Sequence, residues 1–413
     1  MFLLLLLTAC MLPPSTAAPT PSAPAALTSS AKSILKNISD WIITETSLPT
    51  NNLTNTADHL KTSIFINANL ARTLLASSQI FQNDHYLEVG LQWCDELVRL
   101  QHNQPTHDGR PVGGWWDTGY SDLFIADTGT AVTCLALCYD LAPPSTKDDI
   151  SNRRDKYMSA MLNFAEFVVN GTDTTPRCDF SPGCDYDGGG NNTETTATWL
   201  VGDGSLGDGY YMKKLNLPSY TIATATTGGA FFAEMFALTG RKDFQEMSSG
   251  AVTWLLDKVQ QNGTIPYYIY PPTTVPHEYQ CTSYSAEAII DVDLRHLLPS
   301  ISPINMTSSK AMIEYLLKNQ QESGELVDPS KASIGEQQRS PRAVSLLQWW
   351  HEKTGDPKAL EGIEKYVHFL TTKTAFDPSK YGINSYALVT GFVGLAMADI
   401  VLPWSTFSRG MKN

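Results

Sequence analysis

Apolar residues recur along this chain at the three- and four-residue spacing of helices, and they do so in two ways. Some segments are apolar on all sides and rich in small residues, as in Thr224-Ala-Thr-Thr-Gly-Gly-Ala-Phe-Phe and Tyr386-Ala-Leu-Val-Thr-Gly-Phe. Others carry a charged face, as in Arg153-Arg-Asp-Lys-Tyr-Met-Ser-Ala. A helix that is apolar all round is buried all round, whereas an amphipathic helix covers a core on one side. The alternation of the two kinds predicts an inner and an outer layer of helices.

Periodicity and capping residues predict twelve helices. Gly240 and Gly355 can each end a helix in the left-handed conformation, and Asn83 can do so at small cost, so that each joins two helices through a tight turn. A glutamine followed by a glycine turn ends the second helix of several such pairs, as at 260–263 and 320–324. The repeat predicts an all-α fold, an (α/α)6 barrel or toroid of six helical hairpins with long loops at one mouth. The predicted helices are 31–46, 57–82, 84–101, 121–141, 152–169, 219–239, 242–261, 282–297, 306–319, 338–354, 357–373 and 383–402.

The composition narrows the class of partner. Of 413 residues, 42% are hydrophobic and 17% are charged, and the formal net charge is -13. No basic stripe is present to displace counterions from phosphates, so we predict no nucleic-acid partner. The apolar run at 386–402 is interrupted by Asp399 and ends at a proline, which indicates a buried helix and no membrane span.

The N-terminus, Met1-Phe-Leu-Leu-Leu-Leu-Leu-Thr-Ala-Cys, is a short apolar run followed by Pro, Ser, Thr and Ala. Such a run is too short to span a bilayer and is typical of a secretory signal peptide. Leu7-Thr-Ala-Cys10 also resembles a bacterial lipoprotein box, but the basic residues expected before it are missing. We therefore predict a secreted protein with a signal peptide at 1–18, a Pro/Ala/Ser-rich linker at 19–30, a single catalytic barrel at 31–405 and a C-terminal tail at 406–413.

Modification signals agree with secretion. Removal of the signal peptide leaves six cysteines, an even number that favours disulfides in a secreted chain, with Cys178 and Cys184 as the predicted pair. Cys134 and Cys138 lie one helical turn apart, so each is expected to bond elsewhere or to stay a small buried residue. No Cys/His spacing is that of a zinc site, and we predict no metal and no cofactor. The Asn-x-Ser/Thr glycosylation acceptors are Asn37, Asn52, Asn170, Asn191, Asn262 and Asn305.

Candidate chemistry is densest at 113–130, where a loop enters a predicted inner helix. Aromatic rings beside acids are typical of sugar sites, because rings stack on a pyranose and carboxylates bind hydroxyls or move protons. Alternatively, the tryptophans plug the ring and an aspartate caps the helix. The candidates are Trp115, Trp116 and Tyr120 for substrate binding and Asp117 and Asp127 for catalysis.

A second segment places Asp203 and Asp208 in a glycine-rich frame before Tyr210 and Tyr211. An acid here opposite one from the first segment would supply the two carboxylates that a glycosidase needs. Aspartate-glycine alternation is also ordinary turn chemistry, and that alternative stays open.

Two further residues, His277 and Tyr284, lie near the end of a third aromatic-rich connection at 262–281. A Tyr/His pair could abstract a proton beside a uronate carboxylate, and Arg339 or Arg342 could neutralise that carboxylate. Either arginine is equally well explained as a solvated charge on the outer layer.

The hairpin repeat, the glutamine-glycine turns and the acidic-aromatic loops together resemble the six-hairpin glycosidase-like superfamily. That resemblance covers nearly the whole mature chain and implies a carbohydrate substrate. It implies most directly a glycoside hydrolase that acts on a poly- or oligosaccharide with an aspartate pair. The alternatives are a polysaccharide lyase or uronyl epimerase of similar fold, and a secreted glycan-binding or matrix protein without catalysis.

Overall fold

The computed structural model describes residues 24–45, 64–101, 113–115, 123–144, 152–170, 172–173, 196–197, 203–211, 214–267, 278–298, 303–326, 342–372 and 382–410. Within these ranges the chain forms twelve helices. They are α1 Ala25–Glu45, α2 Ile64–Phe81, α3 Asp84–Leu100, α4 Ile125–Leu141, α5 Arg153–Asn170, α6 221–239, α7 Lys242–Asp257, α8 Glu278–Leu294, α9 Pro303–Asn319, α10 Ala343–Thr354, α11 Pro357–Thr372 and α12 Gly382–Val401.

The even-numbered helices form a closed inner ring. Each contacts the even-numbered helix before it and the one after it, and α12 contacts α2 to close the circle. The odd-numbered helices pack outside, α1 against α12 and α3 against α2, for example. The inner helices are the ones whose sequences are apolar nearly all round, and α2 is buried without a break from Asn67 to Ser78. The predicted (α/α)6 toroid of six hairpins is confirmed.

The first helix begins earlier than its pattern predicted. α1 starts at Ala25, inside the segment predicted as a linker, and Thr28 N donates to Pro24 O at 3.0 Å. Leu27 and Ala31 are buried in the core. The alanines and serines of this segment have short side chains that suit close helix packing as well as they suit a linker, so composition alone misplaced the boundary.

Two of the three predicted tight turns have the expected geometry. Gly240 and Gly355 follow α6 and α10 with φ of 69° and 71°, as left-handed caps require. The third differs, because Gln82 takes the positive φ of 52° and Asn83 is extended at φ -115°. The Asn83 side chain accepts hydrogen bonds from the backbone at His85 and Tyr86, so this asparagine starts α3 rather than ending α2.

The glutamine-glycine turns join neighbouring outer helices. Gln320 Nε2 donates to Gly324 O within its own turn and to Gly362 O of α11, both at 2.8 Å. Gln101 Nε2 makes the same pair of bonds, to Gly113 O at 2.6 Å and to Ala160 O of α5 at 2.8 Å. The glutamine signal in the sequence therefore marks a link from the end of one outer helix to the next.

The glycines of these turns are needed because the next outer helix lies too close for a side chain. A Cβ on Gly324, which has φ of 95°, would overlap Lys365 O of α11. A Cβ on Gly263, at φ 87°, would overlap Ala311 O of α9 in the same way. The glycine that recurs in these turns therefore marks a point where two neighbouring outer helices approach closely.

Short strands supplement the helices. β1 (Leu123–Phe124), β4 (Gly207–Tyr211) and β5 (Lys214–Ser219) form a three-stranded antiparallel sheet in the order β1-β4-β5. β2 (Thr172–Asp173) pairs with β3 (Thr196–Ala197). Both sheets lie in the connections between helices, so they do not alter the helical architecture.

A disulfide joins Cys94 of α3 to Cys138 of α4. Cys134, one turn before Cys138, is a buried free thiol, and burial raises its pKa to about 12. Cys134 and Cys138, which lie one turn apart in α4, therefore do not bond to each other, as expected. The predicted pair Cys178 and Cys184 lies outside the described residues.

Candidate active site

One end of the ring is closed by residues 402–410, which follow α12. Ser405 O accepts from Gln79 of α2, and Arg409 N donates to Asp140 of α4. Ser408 N donates to Glu234 of α6 at 3.0 Å. Arg295, directly after α8, donates to Ser408 O, and Trp404 bonds to Glu352 of α10. The segment thus contacts the C-terminal ends of the inner helices, and residues 406–410 of the predicted tail are part of the fold.

Paired charges fill the ring above this segment. Arg72 of α2 reaches across to Glu287 of α8, and Arg342 pairs with Asp399 of α12. Burial alone would raise the pKa of Glu287, but Arg72 and Arg342 outweigh it and hold that pKa below its ordinary value. Arg342 is fully buried, so its interpretation as a solvated outer charge was wrong. Its carboxylate partner belongs to the protein's own fold.

A third arginine of the closed end, Arg295, contacts two acids. Its Nη2 donates to Glu234 at 2.6 Å. Its Nε lies 3.0 Å from Oδ1 of Asp291. Burial, followed by the charges of Glu234 and Glu287, raises the pKa of Asp291 well above its ordinary range. Burial and two neighbouring acids therefore oppose the ionisation of Asp291, and Arg295 favours it.

The N-terminal ends of the inner helices form the opposite, open end of the ring. β1 leads directly into α4, and its Phe124 pairs with Gly209 of β4. β5 leads through Tyr220 into α6. The sheet therefore joins the start of α4 to the start of α6, and it brings together the ends of two of the long connections singled out in the sequence.

The third long connection meets the other two at the same place. Thr221 N donates to Tyr267 O at 3.1 Å. The hydroxyl of Tyr220 donates to that of Tyr267 at 2.7 Å, with ring centroids 4.9 Å apart. The described ends of the three predicted loops thus converge above α4 and α6, as the toroid prediction required.

Two candidate acids lie at this junction. Asp127 is partly exposed in the first turn of α4, three residues after Phe124. Asp208 lies in β4 beside Gly209, where the pairing with β5 shifts register between Gly207 and Gly209. Such bulges often lie next to active sites. The pairing of Phe124 with Gly209 therefore links the two acids, because Asp127 follows Phe124 by three residues and Asp208 directly precedes Gly209.

Asp203 occupies a turn on the outer wall. Its Oδ1 accepts from Ser205 N and Oγ at 3.0 and 2.5 Å, and its Oδ2 accepts from Trp254 Nε1 of α7 at 3.0 Å. Burial would raise the pKa of Asp203, but these hydrogen bonds outweigh it and lower that pKa. The alternative reading as turn chemistry therefore fits this aspartate.

Two predicted substrate-binding aromatics lie in packed surroundings. Trp115 is 6% exposed, donates to Leu97 O at 2.7 Å and packs on Phe164 of α5. Tyr284 of α8 is 4% exposed and meets Phe392 of α12 edge-on, with centroids 5.6 Å apart. Trp115 therefore packs between the outer helices α3 and α5 and does not plug the ring.

The remaining predicted positions are described in part or not at all. Only the backbone is described for Asp208, Tyr210, Tyr211, Asn170 and Asn305. Asn37 and Asn262 are exposed. The positions outside the described residues are Trp116, Asp117, Tyr120, His277, Asn52 and Asn191.

Sequence reasoning missed the hydroxyl residues that tie this end together. They are Tyr220, Thr221, Thr224, Thr226, Thr227 and Tyr267. The threonines stand in an apolar inner helix and carry no motif. The aromatic density of the segment around Tyr267 was the one signal that could have found part of the set.

Solved structures with the same architecture include proteins that are named as carbohydrate-active. A possible member of the GH105 family from Salmonella enterica has a TM-score of 0.58 and 12% identity over 95% of this chain and 98% of that one. A family 76 glycoside hydrolase from a bovine Bacteroides thetaiotaomicron strain has a TM-score of 0.55 and 11% identity over 91% of this chain and 78% of that one. Cellobiose 2-epimerase from Bacillus thermoamylovorans has a TM-score of 0.56 and 9% identity over 87% of this chain and 99% of that one.

The chain is a six-hairpin toroid. The fold implied by the resemblance to the six-hairpin glycosidase-like superfamily is thereby confirmed. No protein-family model matches the toroid's sequence, and no curated protein matches it. None of its described helices combines the length and apolar content needed to cross a membrane.

Proposed function

We propose that this protein is a secreted carbohydrate-active enzyme, a glycoside hydrolase that acts on a poly- or oligosaccharide at the open end of the toroid. The observation that supports the proposal is that the described ends of three connections, whose sequences bear acids and aromatic residues, meet at the end of the ring opposite residues 402–410. Solved proteins of this fold include a family 76 glycoside hydrolase, which supports the reaction class without assigning it.

The two acids proposed for catalysis are Asp127 and Asp208. Hydrolysis of a glycosidic bond needs one carboxyl group to protonate the leaving oxygen and another to activate water or attack the sugar. The N-terminus of a helix favours negative charge, so we assign the carboxylate role to Asp127 in the first turn of α4. Asp208 then supplies the acid. Asp203, which already accepts three hydrogen bonds, is left out of the reaction.

A panel of neutral and uronic poly- and oligosaccharides tests the reaction class. New reducing ends without ultraviolet absorbance of an unsaturated uronate support hydrolysis. New absorbance of that kind would instead indicate a lyase, and an altered sugar configuration without cleavage would indicate an epimerase. Binding without any product would favour a glycan-binding protein and overturn the enzyme proposal.

Three matched variants test the site. Asp127→Asn and Asp208→Asn should each lower kcat by roughly 10²–10⁴-fold, the usual loss when an acid or base is removed. Asp203→Asn, an acid of the same segment held in a turn, should keep kcat within about threefold. Full activity in either of the first two variants would remove that aspartate from the proposed site.

Secretion and glycosylation are part of the same proposal. Expression of the full chain in a eukaryotic secretory system should place the protein in the medium, with a mass that falls after enzymatic removal of N-glycans. Asn262 is the acceptor to monitor first, since it is exposed in the turn after α7. Retention of an uncleaved, unglycosylated chain inside the cell would contradict secretion.

A further inference from the structure

The inner helix α6 contains a π-helical segment, Thr224–Phe231, close to the open end. Such segments are rare and occur often at functional sites. Three threonines of this segment, Thr224, Thr226 and Thr227, are buried, and each bonds to a chain segment outside α6.

Two of these threonines hold the first turn of α4. Thr227 Oγ1 donates to Ile125 O at 2.7 Å. The single hydroxyl proton of Thr226 lies between two acceptors, Ala126 O at 2.9 Å and Ile222 O of its own helix at 3.0 Å. The helices also approach closely here, because a Cβ on Gly129 would overlap the Thr227 hydroxyl. The carbonyls that the two threonines bind belong to the two residues directly before Asp127.

The third threonine holds the segment that leads into β4. Thr224 Oγ1 donates to Tyr220 O at 2.8 Å and accepts from Leu206 N at 3.0 Å. Leu206 O in turn accepts from Tyr220 N at 2.9 Å. Leu206 is therefore fixed through both of its backbone polar groups, two residues before Asp208.

Successive helical residues point in different directions, so Thr224 and Thr226, two residues apart, face nearly opposite sides of the helix. A single short segment can thus bind α4 on one side and the start of β4 on the other. Hydroxyl-to-backbone bonds inside a buried contact leave little freedom to the groups they join.

We propose that Thr224, Thr226 and Thr227 are positioning residues that set the backbones of Asp127 and Asp208 relative to each other. This inference rests on the proposed function, since it concerns the same two acids. Catalytic groups act efficiently only when held close to the reactive geometry, and a displacement of about 1 Å can cost on the order of 100-fold in rate.

The test uses valine variants, which keep the shape of threonine and remove its hydroxyl. Thr224→Val and the double variant Thr226→Val/Thr227→Val should each lower kcat roughly 10- to 100-fold while KM stays within about twofold. Thr→Ser at the same positions keeps the hydroxyl and should restore most of the rate. Thr133→Val is the matched control, because the buried Thr133 hydroxyl bonds only to Gly129 O within α4.

A second readout needs no substrate. Amide hydrogen exchange at 123–130 should be faster in Thr226→Val/Thr227→Val than in Thr133→Val, and exchange at 206–211 should be faster in Thr224→Val. Unchanged exchange in these segments would overturn the inference.

The kinetic outcomes separate the two proposals. If the aspartate variants lose activity while the valine variants keep it, the site stands and the positioning role falls. If the aspartate variants keep full activity, the site itself is wrong, and faster exchange in the valine variants would then report only a structural contact. Loss of rate that serine does not restore would also overturn the role assigned to the hydroxyls.

Discussion

The two ends of this toroid are held together by different chemistry. At the closed end, residues 402–410 contact buried arginine-carboxylate pairs, of which Arg72 with Glu287 crosses the ring. At the open end, the described contacts are neutral hydrogen bonds from hydroxyls to backbone groups, as between Thr227 and Ile125. Among the described residues, the closed end concentrates paired charges, whereas the open end gathers the ends of the connections that precede α4 and α6.

That difference shows why a high density of acids does not by itself identify an active site. Glu287 and Asp399 are buried and bound by arginines, so neither is available to exchange a proton with a substrate. A buried ion pair of this kind is weak evidence for stability, but breaking it by removing one partner is costly. The candidate acids of the open end, by contrast, lie where chain segments from different parts of the sequence meet.

The largest expected effect comes from breaking a pair at the closed end. Arg72→Met leaves Glu287 without its nearest cation and Thr406 O without its donor, which lies 3.0 Å away. We expect the free energy of unfolding to fall by about 3–5 kcal/mol, the usual cost of an uncompensated buried charge. Denaturant unfolding at neutral pH measures it.

The control is Arg99→Met, since Arg99 pairs with Glu96 and its side chain is 63% exposed. That change should move the free energy of unfolding by less than about 1 kcal/mol. Equal losses in the two variants would mean that solvent reaches the closed end, and the contrast between the ends would fail.

Asp291, in the same cluster, should make stability depend on pH. Burial and the neighbouring charges of Glu234 and Glu287 raise the pKa of Asp291, against the opposing charges of Arg295 and Arg72. The folded protein keeps a proton that the unfolded chain releases above about pH 4. Stability from this group is therefore present below about pH 4 and is lost as the pH rises through the folded pKa, by up to about 1.4 kcal/mol per pH unit.

Asp291→Asn, which mimics the neutral acid, should remove that dependence. Relative to the unmodified protein, the variant should gain stability as the pH is raised from 4 to 8, measured by unfolding at each pH. Asp243→Asn is a control of opposite sign, because a hydrogen bond from Arg241 lowers the pKa of that exposed carboxyl. An Asp291→Asn variant that loses relative stability as the pH rises would show that Asp291 is ionised.

The spacing of apolar residues in the sequence predicted the helices well. An inner helix is apolar on all sides because it touches neighbours on all sides, and each hairpin repeats the same two periodicities, so α4 and α7 lie close to their predicted ranges. The glycine caps at Gly240 and Gly355 were also predictable, since a left-handed residue at the end of a helix has few alternatives to glycine.

Ion pairs between residues far apart in the sequence could not be predicted in this way. Arg72 and Glu287 are 215 positions apart, and Arg342 and Asp399 are 57 apart. Nothing in the residues around them indicates which acid meets which arginine, because the pairing depends on how the ring closes. The threonines of α6 were missed for a related reason, since their partners lie on other helices and strands. In the sequence, a threonine in an apolar helix looks like a residue that only packs.

The smallest expected effect is at the open end. Tyr267→Phe removes the hydroxyl that accepts from Tyr220 at 2.7 Å and keeps the ring contact between the two side chains. One neutral hydrogen bond contributes about 0.5–1.5 kcal/mol, so the free energy of unfolding should fall by that amount. Tyr157→Phe is the comparison in the outer wall, where a buried hydroxyl bonds both Leu91 O and Asp95 and should cost more. If Tyr267→Phe lowered the free energy of unfolding as much as Arg72→Met does, the open end would be held as strongly as the closed end. The contrast between the two ends would then be wrong.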